Sequence, residues 1–297
     1  MFHYLGHERL QMAFFSPNIC GAFLTILVLI ICGIFLYFSK SEKHSLKIFS
    51  YCLLPVIICL FIGIGMTYSR GSYIACLFAL ISGHILVRSI KSVMFIFIFL
   101  AIILSVPDGG QRVVSTVHFR EGSIYNRFYL WRGGCAAIAE NWTTGVGPAP
   151  APGQYYCSNY RPAWIKAEYL TFVNDPLTIG ASYGIFALFL WLLLTGIPLH
   201  AGFIVFRHTA NPLLAYLLCS ASSYLIAGLF STLFRFFDLI WLFILATTLI
   251  LWFVLYDIKK SPGEWHCNIS WLFVPASAGV ICLAILVIGN LVCFNIL

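Results

Sequence analysis

Arginine side chains are the main groups in this sequence, outside its apolar stretches, that could bind a charged ligand. Arg70 follows a serine between two apolar stretches, and Arg127 lies four residues before Trp131 in a long polar segment. Guanidinium groups bind phosphate and other planar anions bidentately, and they can neutralise charge that develops on a leaving group. Arg120 and Arg132 in the same segment are weaker candidates of this type. These residues predict a site for a phosphorylated ligand.

Each of these arginines also has a structural interpretation. Arg70 could extend to the lipid headgroups while its aliphatic part stays in the apolar layer. Arg127 and Trp131 share a helix face and could form a cation–π pair that steadies a helix at the membrane surface. Phosphates of membrane lipids are competing partners for all the arginines. The sequence leaves both interpretations open.

Other polar residues could complete such a site. Gly145-Val146-Gly147-Pro148 could present backbone N–H groups to an anion, although Gly/Pro turns are common. Asn174 and Asp175 lie where the chain returns to apolar sequence, and a carboxylate there could act as general base towards a sugar hydroxyl. Glu168 and His118 are alternative bases.

The remaining polar residues predict structural roles. Arg235 and Asp238 are three residues apart at the start of a later apolar stretch, and a structural ion pair is expected there. Cys135 and Cys157 could form a disulfide in an oxidising compartment. The sequence has no metal-ligand spacing, so neither a metal site nor another cofactor is expected.

The elements that position these residues are predicted to cross a membrane. Only 9% of the 297 residues are charged and 61% are hydrophobic, which leaves too little polar surface for a soluble domain. We predict an all-α, polytopic transmembrane helical bundle of about eight spans, with one large extracytoplasmic loop containing short helices. With ends uncertain by roughly two to four residues, the spans are 19–38, 46–65, 71–88, 92–107, 178–206, 211–233, 236–256 and 270–294. The fifth is long enough to include an interfacial piece.

The chain is predicted to divide into three regions, with N-terminal transmembrane helices at 1–107, the extracytoplasmic loop at 108–176, and C-terminal transmembrane helices at 177–297. Lysines concentrate in the short connections on one side of the bundle, and the positive-inside rule places that side in the cytoplasm. The long loop and its arginines then lie outside. The net charge of +7 is not a nucleic-acid signal, because no soluble basic domain is present to bind one.

Two local structures are predicted inside the loop. Residues 123–141 predict a helix, which Gly133-Gly134 should weaken or kink. Residues 145–153 are so rich in glycine and proline that they should form neither a regular helix nor a strand.

Several of these pieces, in this order, resemble the O-antigen ligase and polymerase family of bacterial integral-membrane enzymes. Phe15-Ser16-Pro17-Asn18 is similar to the start of a family span, and Met66-Thr67-Tyr68-Ser69-Arg70-Gly71 is similar to its Thr-x-Ser-Arg-Gly segment. Arg127-x-x-x-Trp131, followed by Gly145-Val146-Gly147-Pro148, resembles the Arg…Trp…Gly-x-Gly block of its large periplasmic loop. The similarity runs from about residue 10 to residue 256.

The end of the loop resembles the family with one departure. Val173-Asn174-Asp175, followed by Tyr183-Gly184-Ile185, resembles a His-Asn pair and the glycine-led span that closes the family's loop. The histidine is a proposed base or orienter of the acceptor hydroxyl in the family. Valine stands at that position here and cannot transfer a proton.

The resemblance implies a metal-independent glycosyl transfer in the bacterial inner membrane. The donor would be a glycan on undecaprenyl diphosphate, the acceptor a lipid A-core or another glycan, and the product a lipopolysaccharide or exopolysaccharide. Arg70, Arg127 and Asp175 are the implied catalytic residues, and the implied substrate-binding residues are Arg120, Trp131, Arg132, Gly145, Gly147 and Asn174. Ligation and polymerisation both remain open. The alternative, favoured by Val173, is an inactive homologue or a transporter of lipid-linked glycan.

Overall fold

The computed structural model describes residues 3–4, 7–8, 10, 14, 16–107, 109–111, 114 and 122–260. These residues form a short antiparallel hairpin and a series of α-helices. The hairpin consists of β1 (His3–Tyr4) and β2 (His7–Glu8). The helices are α1 (Pro17–Ser39), α2 (His44–Cys52), α3 (Leu54–Met66), α4 (Arg70–Val87), α5 (Ile90–Ser105), α6 (Gly122–Glu140), α7 (Ala151–Asn159), α8 (Asp175–Thr209), α9 (Pro212–Gly228) and α10 (Phe237–Lys260). The predicted all-α class is confirmed for this part of the chain.

Five stretches within the described residues are long and apolar enough to cross a membrane: Pro17–Ser39, His44–Met66, Arg70–Val87, Asp175–Thr209 and Leu239–Asp257. An integral membrane protein is therefore supported. Helices α5 and α9 are apolar but shorter, and the predicted span at 270–294 lies outside the described residues. The predicted total of about eight spans stays a prediction.

Contacts between residues divide the chain into two compact units. The first contains, of the described residues, helices α1–α5, the part of α8 from Ile197, and α9 and α10. The second contains α6, α7, the part of α8 up to Gly196, and residues 228–235. The units interleave along the sequence, unlike the predicted linear division into 1–107, 108–176 and 177–297, which remains a prediction.

Helix α1 is buried on most sides in the first unit. Pro17 is its first residue, and the Oγ of Ser16 accepts a hydrogen bond from the Ile19 N–H at 3.4 Å, so the predicted Ser-Pro-Asn start is a capped helix start. Helices α2, α3, α4 and α10 pack around α1. A Cβ on Gly21 would lie 2.4 Å from the Oγ of Ser72, so glycine permits the close approach of α1 and α4.

Helix α6 forms the core of the second unit together with α7 and the start of α8. The buried core residues are Leu130, Ala137, Tyr156, Phe172 and Ala181. The predicted helix at 123–141 is confirmed, but the expected weakening at the paired glycines does not occur, because α6 runs through them. A Cβ on Gly133 would lie 2.6 Å from the ring of Tyr156, so this glycine serves close packing.

Two sequence-based boundaries are wrong. The sixth span was expected to reach residue 233, but α9 ends at Gly228, and the residues that follow are not helical. Helix α7 begins at Ala151, inside the stretch expected to lack helix, because proline is tolerated in a first helical turn.

Helix α8 has a break near its start. Gly184 has φ 84° and ψ 175°, a conformation outside the helical region that favours glycine. A Cβ there would lie 2.2 Å from the carbonyl oxygen of Thr143, and the Ile185 N–H donates to the carbonyl of Trp142 at 2.8 Å. A short piece at 175–183 therefore precedes the long apolar part of α8, as the length of the fifth predicted span allowed.

Candidate functional site

Arg70 is the first residue of α4, in the first unit. Ser69 caps this helix by accepting a hydrogen bond from the Ser72 N–H at 3.4 Å. Tyr68 turns the chain with φ 50°, and its hydroxyl donates to the carbonyl of Pro107 at 2.7 Å. Arg70 is half-buried. The segment therefore places an arginine at a helix N-terminus, whose partial positive charge also favours an anion.

Arg127 and Trp131 lie on α6, in the second unit, and both contact Phe230. The Nη1 of Arg127 donates to the Phe230 carbonyl at 2.7 Å, and the ring centroids of Trp131 and Phe230 are 6.5 Å apart. The prediction that Arg127 and Trp131 share a helix face is therefore confirmed. Arg132 is exposed on the same helix, and Arg120 lies outside the described residues.

Residues 229–235, here called the 229–235 segment, connect α9 towards α10 without helical structure. Side chains from the preceding loop hold this segment. The Nδ2 of Asn174 donates to the Leu229 carbonyl at 3.0 Å, and the hydroxyls of Thr171 and Thr232 are 2.8 Å apart. Non-helical backbone in apolar surroundings needs such partners, because unpaired polar groups there are costly.

Asp175 makes the most buried of these contacts, with an exposed fraction of 0%. Its Oδ1 accepts hydrogen bonds from the Leu233 N–H at 2.6 Å and the Phe234 N–H at 3.3 Å. Its Oδ2 is buried and has no hydrogen-bond partner among the described residues. A Cβ on Gly228 would lie 2.5 Å from Oδ2, so glycine is needed beside this carboxylate. An acceptor sugar has no access to either oxygen in this conformation.

Val173 and Asn174 shape the turn before Asp175. Val173 is half-buried with φ 53°, a left-handed conformation that costs a valine about 1–2 kcal/mol. The Oδ1 of Asn174 accepts a hydrogen bond from the Leu177 N–H at 2.9 Å and so caps the start of α8. Asn174 therefore supports α8 with its oxygen and the 229–235 segment with its nitrogen.

The Gly145–Gly147 turn packs against the start of α8. The Val146 N–H donates to the Ala181 carbonyl at 2.7 Å, and the Gly147 N–H donates to the Ser182 carbonyl at 3.1 Å. Gly145 has φ 71°, and a Cβ on it would lie 2.4 Å from the Ser182 carbonyl. Because these N–H groups are used within the protein, the turn acts here as a packing element. Anion binding by Gly145 and Gly147 stays a prediction.

Arg235 ends the 229–235 segment and lies in the same unit as Arg127. It is half-buried, and burial lowers the pKa of its guanidinium, while nearby Tyr183 opposes that shift. The Asp238 side chain lies outside the described part of the structure, so the expected ion pair between Arg235 and Asp238 stays a prediction. Arg235 therefore places a partly desolvated positive charge beside the start of α8.

A second cluster joins α6 to α7. Glu140 accepts hydrogen bonds from the hydroxyls of Tyr155 and Tyr160, which lower the pKa of the carboxyl group. The bond to Glu140 raises the pKa of Tyr160 to about 12. Cys135 is exposed and Cys157 half-buried, and both are free thiols, so the possible disulfide is not formed.

Residues 54–192 match the O-antigen ligase family. Over this part, a little under half of its length, the chain is similar to that family. The matched O-antigen ligase segment contains Arg70, Arg127 and Asp175, so the resemblance based on the sequence motifs is confirmed. No curated protein is a significant match to the chain.

Within this O-antigen ligase segment, the structure brings several predicted residues together. Arg127, Trp131, Asn174 and Asp175 all contact residues 229–235, whereas Arg70 belongs to the first unit. The alternative base Glu168 is exposed, and His118 lies outside the described residues.

The residues that sequence reasoning missed lie mostly beyond the matched segment. Thr171 lies inside that segment, whereas Thr232 follows residue 192 in a stretch predicted to be the end of a span. Arg235 was singled out only as an ion-pair partner of Asp238, not as part of the site. The available signal was the Ser231-Thr232 pair, which is unusual at the end of an apolar run and can satisfy backbone or side-chain partners.

Proposed function

We propose that this protein transfers a glycan from undecaprenyl diphosphate to a glycan or lipid A-core acceptor. The observation that carries the proposal is the O-antigen ligase match over residues 54–192, which contains both Arg70 and Arg127. The match supports membrane glycan processing, and the apolar helices support an integral membrane protein. We further propose that the reaction occurs at the periplasmic face of the bacterial inner membrane, without a metal, in lipopolysaccharide or exopolysaccharide synthesis.

In the proposed reaction, an acceptor hydroxyl attacks the anomeric carbon of the donor. The bond between that carbon and the diphosphate oxygen breaks, undecaprenyl diphosphate leaves, and the hydroxyl proton passes to a base. Negative charge grows on the diphosphate, and Arg70 and Arg127 would stabilise it. The bond from Arg127 to the Phe230 carbonyl supports this role, because it fixes the guanidinium before the donor binds.

The proposal gives different roles to the other predicted residues. Trp131 would anchor α6, and Arg132 would contribute positive charge at the exposed face of that helix. Asp175 fits a positioning role better than a base, because both of its oxygens are shielded. The family match does not favour an inactive or transporting homologue, so we do not propose one.

Substitution of Arg127 with lysine tests the proposal. Lysine keeps the positive charge but lacks the planar fork that binds phosphate bidentately, so most product should be lost while the membrane level stays normal. Arg161→Lys is a matched control, because Arg161 is also half-buried in the second unit and its Nη1 lies 3.5 Å from the Ala167 carbonyl. Unchanged surface glycan in both Arg127→Ala and Arg70→Ala strains would refute the proposal.

The glycan ladder of a deletion strain separates the two possible reactions. Loss of all long chains from the lipid A-core would indicate ligation. A single repeat remaining on the core would indicate polymerisation. The ladder of the complemented strain is the control, and a ladder that deletion does not change would contradict both reactions.

A further inference from the structure

Four side chains of the second unit are used to hold one short connection. Arg127, Thr171, Asn174 and Asp175 all form hydrogen bonds with the 229–235 segment. The first six residues of this segment are Leu-Phe-Ser-Thr-Leu-Phe, an apolar sequence that could have continued helix α9. The protein therefore maintains a non-helical connection at a specific place, and three of the four residues that hold it, Arg127, Asn174 and Asp175, are ones that the sequence motifs single out.

Arg235 ends the connection whose Phe230 carbonyl accepts from Arg127, and it directly follows the two residues whose N–H groups Asp175 holds. Tyr183 acts electrostatically on its guanidinium. Tyr183 lies between Ser182, whose carbonyl accepts from the Gly147 N–H, and Gly184, where α8 breaks. The Gly-x-Gly turn, the break in α8 and Arg235 are thus parts of one local arrangement within the second unit.

We propose that Arg235 binds the diphosphate of the lipid-linked donor, and that Asn174 and Asp175 are positioning residues that hold the connection carrying it. The inference rests on the proposed function and adds a residue outside the segment matched by the family. A partly desolvated guanidinium interacts more strongly with an anion than one in water, because the local dielectric constant is lower. The lowered pKa of Arg235 agrees with this, since burial is its main cause and an incoming diphosphate would compensate the charge.

A phosphate group near the membrane surface has two sources, the lipid-linked donor and the headgroups of anionic phospholipids. The donor carries a diphosphate, whereas a phospholipid headgroup such as that of phosphatidylglycerol carries one phosphate. The amount of anionic headgroup can also be set through the lipid composition of the bilayer. The experiment therefore uses the purified full chain in phosphatidylcholine nanodiscs, with and without phosphatidylglycerol. The probe is undecaprenyl diphosphate without a sugar, and the readout is its dissociation constant.

The conservative variant Arg235→Lys should weaken binding of undecaprenyl diphosphate by about 10- to 100-fold, because lysine keeps the charge but cannot form the bidentate pair of hydrogen bonds. The matched control Arg161→Lys should bind like the wild type. Phosphatidylglycerol should not abolish binding. The inference is overturned if Arg235→Lys binds as tightly as the wild type, or if phosphatidylglycerol competes as well as the diphosphate does.

Asp175 provides a test of the positioning role. Asp175→Asn keeps an oxygen that can accept from the Leu233 and Phe234 N–H groups, so it should preserve binding, whereas Asp175→Ala should weaken it. Equal loss in both variants would overturn the positioning role. If the wild type does not bind the diphosphate, the proposed function fails as well. If only the Arg127 variants lose binding, the proposed function stands and the role of Arg235 is refuted.

Discussion

Replacing Asp175 with alanine should destabilise the second unit by an amount that follows from its contacts. Oδ1 accepts from the Leu233 N–H at 2.6 Å and the Phe234 N–H at 3.3 Å. Leu233 is fully buried, so its N–H would lose its partner without access to water, whereas Phe234 is only half-buried. A buried donor without a partner costs about 1–3 kcal/mol, and the longer bond adds less, so the free energy of unfolding should fall by about 2–4 kcal/mol.

Asp175→Asn is the matched comparison. The amide oxygen can replace Oδ1 as the acceptor for both N–H groups, so the free energy of unfolding should stay within about 1 kcal/mol of the wild-type value. Unfolding in mixed micelles, followed by tryptophan fluorescence, measures both variants. The reasoning is refuted if alanine is as stable as aspartate, or if asparagine is as destabilising as alanine. A stable Asp175→Asn protein without transfer activity would instead restore Asp175 as a candidate base.

Two further substitutions test the turns beside α8. Gly145→Ala should lower the free energy of unfolding by about 2 kcal/mol or more, because φ is 71° and the added Cβ would overlap backbone atoms. Gly196→Ala, where a Cβ meets nothing within 4 Å, should be within about 0.5 kcal/mol of the wild type, and equal effects at both glycines would contradict the argument. Val173→His restores the residue implied by the family resemblance, and histidine tolerates φ 53° better than valine. It should raise the rate of glycan transfer about tenfold or more, and an unchanged rate in a folded variant would count against a missing base.

Much of the helical structure could be predicted because it depends on local patterns. The apolar stretches and the capped start at Ser16-Pro17 were visible in the sequence, as was the helix that carries Arg127. The shared face of Arg127 and Trp131 followed from their spacing of four residues. The motifs also indicated the O-antigen ligase family, because their order along the chain is more specific than any one of them.

The connection after α9 could not be predicted, because hydropathy does not distinguish a buried non-helical segment from the end of a span. Leu229–Phe234 is nearly as apolar as the helix before it, and only long-range hydrogen bonds from Asn174 and Asp175 determine its path. The role of Gly133 was misjudged for a related reason. Helix propensity predicted a kink, but packing against Tyr156 decides the outcome.

The exposed thiol of Cys135 gives this protein a natural reporter of its orientation. Cys135 lies on α6, one turn beyond Trp131, and is accessible without unfolding the helix. A maleimide that cannot cross the membrane would therefore reach it from outside the cytoplasm only if α6 lies on that side. A Cys135→Ser variant identifies the labelled position, so the side of the membrane on which the arginines act can be read from the mass of one protein.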